Sequence, residues 1–68
     1  MEFVFTKHAR QRMYERKITV EEIKSTVNRG MKWFMKNEGE TGRWHAKFGA
    51  VEIVFEREED YVIIVTVF

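Results

Sequence analysis

The chain has no cysteine and no proline, and only four glycines and two histidines among its 68 residues. Without cysteine there are no disulfides and no thiolate metal sites, and the composition suits a reducing compartment. The two histidines stand far apart, with no HExxH or EF-hand pattern, so a metal site is not expected. A glycine-rich phosphate loop is also missing, and no cofactor is expected. No run approaches the roughly 18 apolar residues of a membrane span. The start, MEFVFTK, lacks the apolar region of a secretory signal, which makes a cytoplasmic location the expectation. No repeat, linker or low-complexity segment interrupts the chain.

What is present is a short, highly charged sequence with enough apolar residues for one core. A chain of this length forms a single domain, residues 1–68, and such domains commonly need a partner to reach comfortable stability. Self-association or a helper subunit is therefore expected. The net charge is only +1, but it is unevenly spread. Residues 1–36 carry nine Lys/Arg against four Glu, whereas residues 37–68 carry three against seven Asp/Glu. A chain that is nearly neutral overall can still turn a basic face toward an anion.

Phe3-Val4-Phe5 reads as a short extended start. Thr6 is placed to cap a first helix of about ten residues. The second helix is better marked: Thr19 to Glu22 forms a capping box, Ile18 and Ile23 suit a hydrophobic staple, and Gly30 is the expected stop. Val20, Ile23 and Val27 give this helix its apolar stripe.

Beyond Gly30 the period changes to that of strands. Met31, Trp33 and Met35 alternate with Lys32, Phe34 and Lys36. Two further alternating runs follow, Arg43–Phe48 and Val51–Glu56, and the apolar run Tyr61–Phe68 closes the chain. The pattern predicts an α+β domain, with two N-terminal helices packed on one face of a four-stranded antiparallel meander.

A two-residue Gly49-Ala50 turn of type II′ would pair Phe48 with Val51, Ala46 with Ile53 and Trp44 with Phe55. A four-residue loop at 38–41 would pair Met35 with Trp44, Trp33 with Ala46 and Met31 with Phe48. Together these put Trp33 and Trp44 in the core. The opposite face would then carry Lys32, Phe34, Lys36, Arg43, His45 and Lys47, with Glu52 and Glu56 nearby. That set suits a nucleic-acid backbone, with Phe34 and His45 available for base stacking. A salt-bridged, solvated face is the alternative.

A second constellation lies in the first helix, TKHARQRMYER. His8, Arg12 and Arg16 recur at four-residue spacing and share a flank of the helix. His8, in the first turn of that helix, is a candidate general base. Two guanidinium forks beside it suit a phosphate whose charge grows in a transition state. The alternative here is a solvated row that pairs with Glu15 or another surface acid. His45, between Arg43 and Lys47, is either a stacking group or a second titrating group. The face taken by Thr66 depends on the last turn: a three-residue loop at 58–60 puts it beside Glu52, and a two-residue loop turns it toward the helices.

His8-Ala9-x-x-Arg12-Met13-x-x-Arg16-x-Ile18-Thr19, together with the closing Ile64-Val65-Thr66-Val67, resembles the signatures of the domain of unknown function 4258 family. The resemblance runs over nearly the whole chain. It implies a RelE-like fold within the barnase–EndoU–colicin–RelE group of small ribonuclease toxins, and an RNA-cleaving or RNA-binding activity. It also implies candidate active-site residues at His8, Arg12, Arg16 and Thr66. Two departures stand out. Lys17 replaces a frequent glycine between the helices, and Phe68 stands where tyrosine is often seen, which removes a phenolic proton donor at that position.

The expected function is a metal-independent endoribonuclease, the toxin of a toxin–antitoxin pair, acting on free or ribosome-bound RNA through its 2′-OH. His8 would be the base, Arg12 and Arg16 the charge stabilisers, and Thr66 a phosphate-orienting group. His45 is a candidate acid. An acidic antitoxin would cover the basic face. A non-catalytic RNA-binding module using the sheet face, and a protein–protein interaction domain, are the alternatives.

Overall fold

The computed structural model describes residues 2–36 and 42–68. In chain order the elements are β1 (Glu2–Phe5), α1 (Lys7–Arg16), α2 (Val20–Arg29), β2 (Met31–Met35), β3 (Arg43–Phe48), β4 (Val51–Arg57) and β5 (Tyr61–Val67).

Both helices begin at threonines. Thr6 and Thr19 sit in extended backbone, and each hydroxyl accepts the backbone N–H three residues on. At Thr19 the Glu22 carboxylate returns the bond to the cap N–H, completing the capping box. The helices end differently. Lys17, with φ 57° and ψ 42°, closes α1 in the left-handed region. Its N–H donates to the Tyr14 carbonyl, and that of Ile18 donates to Met13, the pair of bonds that defines a Schellman ending. Gly30 closes α2 in extended backbone, at φ −72°. Glycine is needed there for space: a Cβ would stand 2.5 Å from the Thr26 carbonyl oxygen and 2.7 Å from that of Lys47.

The sheet overturns the expected four-stranded antiparallel meander. It has five strands in the order β1-β5-β4-β3-β2, and it is mixed, because β1 pairs parallel to β5 with Phe3 opposite Val62 and Phe5 opposite Ile64. Phe3 and Phe5 pack against the core, so the extended start is an integral strand. The core lies between the sheet and the helices. It comprises Ala9 and Met13 of α1, Ile23 of α2, and Ala46, Ile53, Phe55, Val62, Ile64 and Val67 of the sheet. α1 packs on β5, and α2 on β3 and β4.

The β3–β4 register is the one the Gly49-Ala50 turn predicts, with Trp44 opposite Phe55 and Ala46 opposite Ile53. Gly49 has φ +62°, and Ala50 is not in the left-handed region, as a type II′ turn requires. The β2–β3 register differs from expectation by one residue: Met35 lies opposite Arg43, Trp33 opposite His45 and Met31 opposite Lys47. The loop expected at 38–41 lies outside the described residues. Because side chains alternate, a one-residue slip exchanges the two faces of the whole strand. Trp33 therefore leaves the core side, and Lys32 and Phe34 come to it.

β5 follows neither simple alternative. The Glu58 N–H donates to the Tyr61 carbonyl, so Glu59-Asp60 is a two-residue turn. A bulge then inserts Val65 between the pairs Phe55–Ile64 and Val54–Thr66. It lets Val62, Ile64 and Val67 all face the core and turns Thr66 to the outer face.

Candidate nucleic-acid interface

α1 is fastened to the end of β5. β1 stops at Phe5, opposite Ile64, and the last residues of β5 run on beyond it. There α1 replaces the missing strand. The Thr6 N–H donates to the Ile64 carbonyl at 3.1 Å, and the Thr6 hydroxyl donates to Val65 at 2.8 Å. Nε of Arg12 donates to the Val67 carbonyl at 3.2 Å. Backbone acceptors that would otherwise lie open at a sheet edge are thus satisfied, one by a backbone N–H and two by side chains.

The Arg12 bond uses only Nε, so the outer fork of the guanidinium, with four N–H groups, remains to bind an anion. Ala9 and Met13 bury the adjoining flank of the helix, while His8 and Arg16 are exposed on either side of half-buried Arg12. The alternative in which Glu15 neutralises this row is not what the structure has, because Glu15 accepts from the Gln11 side-chain amide at 3.3 Å. The first turn of α1 contains no acidic residue. An imidazole and two guanidinium groups therefore line one flank of a helix whose middle cation is tied to the sheet.

The six-residue basic face does not form. Lys32 and Phe34 stand on the helix side of β2, opposite Ala46 and Trp44. Lys32 Nζ donates to the Gly30 carbonyl at 3.0 Å, and the Phe34 ring lies against Trp44 with centroids 5.2 Å apart. Lys36 follows the end of β2 and is exposed. Arg43, His45 and Lys47 occupy the other, uncovered face. Arg43 is bonded to Glu56 at 3.1 Å, and Lys47 lies across from Glu52. The His45 ring stacks on Trp33, with centroids 5.3 Å apart and planes 21° from parallel. Beside them Val54 is buried yet belongs to no core cluster, and Thr66 is its ladder neighbour.

The sheet thus separates the sequence-derived candidates. His8, Arg12 and Arg16 come together on the helix side. His45 and Thr66 lie on the far side, so His8 and His45, the candidate base and acid, do not share a site. The anchoring bonds of Thr6 and Arg12 escaped the sequence reading, because their acceptors are backbone carbonyls, which leave no residue-type signature. The alternation of β2 and β3 is compatible with the Trp33–His45 stack, but only the observed register brings the two rings together.

The sequence that forms α1, its connection to α2 and the closing strand falls within a recognised family. The family described as Domain of unknown function (DUF4258) matches residues 5–68, and the chain belongs to it. The matched span takes in both helices and the four strands after β1, including the opening His8–Arg16 row and the closing strand that anchors it. No curated protein and no solved structure gives a significant match to the chain.

Proposed function

We propose that the protein is a metal-independent endoribonuclease whose site is the exposed flank of α1, and that it serves as the toxin of a toxin–antitoxin pair. The observation that carries the reading is the anchor of Arg12 on the Val67 carbonyl. It holds a guanidinium fork beside His8 in a fixed direction, which a merely solvated arginine does not need.

In this reading His8 takes the proton from a ribose 2′-OH as the oxygen attacks the adjacent phosphorus. Negative charge builds on the pentavalent phosphate, where Arg12 and Arg16 stabilise it. The bond from phosphorus to the 5′ oxygen breaks, and that oxygen takes its proton from water, to which the exposed flank is open. The products are a 2′,3′-cyclic phosphate and a 5′-hydroxyl, and the imidazolium returns its proton to solvent. Thr66 has no part in this scheme, since the bulge turns it to the other face. An acidic segment of an antitoxin laid along the same row would occupy the phosphate positions and switch the enzyme off.

The test is cleavage of an end-labelled RNA pool, free and ribosome-bound, in the presence of a chelator. The wild type should release fragments ending in cyclic phosphate, and His8→Ala should lose about 100-fold or more of that rate while remaining folded. Cleavage that His8→Ala leaves intact would overturn the assignment. RNA binding without cleavage by the wild type would reduce the protein to a binding module.

A further inference from the structure

The two edges of the sheet are treated differently. At one edge β1 is short, and α1 takes over where it ends. At the other, β2 is the terminal strand, and among the described residues nothing pairs with its outer side. α2 packs mainly on β3 and β4, and four of the five residues of β2 are exposed. The strand is apolar on both faces, with Met31 71%, Phe34 44% and Met35 41% exposed. It has no proline and no bulge, and its one charge is Lys32. A strand edge of this kind is a template for another strand, and soluble proteins ordinarily protect such edges or use them.

The sequence of β2 indicates which strand fits. Met31-Lys32-Trp33-Phe34-Met35 is nearly symmetric about Trp33. We propose that the protein forms a symmetric dimer by antiparallel pairing of β2 with β2 of a second copy, centred on Trp33, which joins two five-stranded sheets into one of ten.

In that register Met31 faces Met35 of the partner subunit, and Trp33 faces Trp33 of the partner subunit. Lys32 faces Phe34 of the partner subunit, so the two lysines are never opposed and each meets an aromatic ring. The twofold axis runs perpendicular to the sheet, so the helix layers of both copies stay on one side, and α2 stands back from the seam. A self-complementary patch is what an isologous interface requires. The union also adds buried apolar area to a chain short enough to need it.

The first test reads geometry at exposed positions, where substitution carries little risk to folding. The chain has no cysteine of its own. Met31→Cys and Met35→Cys, prepared separately and then mixed under mild oxidation, should give a disulfide-linked dimer. Either variant alone should link far less, because identical positions lie four residues apart across the seam. No cross-linking in the mixture, or equal cross-linking by each variant alone, overturns the proposal.

The second test reads energy. Light scattering should give twice the 8.3 kDa chain mass for the wild type. Phe34→Lys sets a lysine opposite Lys32 in both halves of the seam and should weaken dimerisation roughly thirtyfold. Phe34→Glu removes the same ring but supplies an opposite charge, and should dimerise at least tenfold more tightly than Phe34→Lys. A wild-type monomer at all concentrations, or equal dimerisation by the two variants, overturns the pairing.

Discussion

The two helices are equal in length and opposite in character. α2 follows the rules of helix stability: a reciprocal capping box, Glu21 and Glu22 in the first turn, Arg29 in the last, and Ile23 and Thr26 buried. Thr26 is fully buried yet satisfied, because its hydroxyl donates to the Glu22 carbonyl at 2.8 Å. α1 breaks several of the same rules. Its first turn carries Lys7 and His8 and no acid, and it ends on a lysine in a backbone region that suits glycine. A cation in the first turn opposes the helix dipole and gives up stability, although Arg16 in the last turn complements it; natural proteins tend to accept such a loss where the charge has a task. The departures cluster on the element that carries the His8–Arg16 row. α2 holds the fold together, and α1 is held by the fold.

That contrast makes predictions of different size. The largest concerns the close of α2. In Gly30→Ala the new methyl would meet two backbone carbonyls, neither of which can move without disturbing α2 or β3. A loss of about 3 kcal/mol is expected, and with it a fall in melting temperature of roughly 15 °C. A change under about 3 °C would mean that the approach of α2 to β3 is looser than described.

The next prediction compares the two caps. Thr19→Ala should cost about 1 kcal/mol, the ordinary value of an N-cap. Thr6→Ala should cost about 2 kcal/mol, because its hydroxyl both accepts from Ala9 and donates to the Val65 carbonyl, so two bonds are lost together. Urea unfolding of the two variants side by side measures the difference. Equal losses would show that α1 is fastened to β5 by something other than Thr6.

Local features of this fold were legible in the sequence, and long-range ones were not. The Thr19–Glu22 box and the Thr6 cap depend on neighbours three residues away. The β3–β4 register follows from a glycine at the first position of a two-residue turn. β2 offered no such constraint, since Met31, Trp33, Phe34 and Met35 are apolar on both faces and a slip of one residue breaks no hydrophobic pattern. The parallel pairing of β1 joins residues about sixty positions apart, and four residues are too few to show a period. The bulge at Val65 lies in an unbroken apolar run, where alternation carries no information. Of the site, the His8, Arg12 and Arg16 spacing was visible because helical geometry alone groups them. Of the basic sheet face only Arg43, His45 and Lys47 stay together, because the places of Lys32 and Phe34 rest on the one register that hydrophobicity leaves open.

The smallest effect expected is a gain, and it tests whether α1 does carry strain at its end. Lys17 is the sole described residue other than glycine with positive φ. A side chain in that region costs about 1 kcal/mol or somewhat more, through the contact of its Cβ with the following carbonyl. Glycine removes that contact, while its greater freedom in the unfolded chain takes back part of the gain. Lys17→Gly should therefore be stabilising by about 0.5–1 kcal/mol, or roughly 3–6 °C in melting temperature. Lys17→Ala separates backbone from charge: it removes the ammonium group but keeps the Cβ, and should give no gain. If alanine stabilised as much as glycine, the relief would come from thinning the cations of α1, and the left-handed ending would be unstrained.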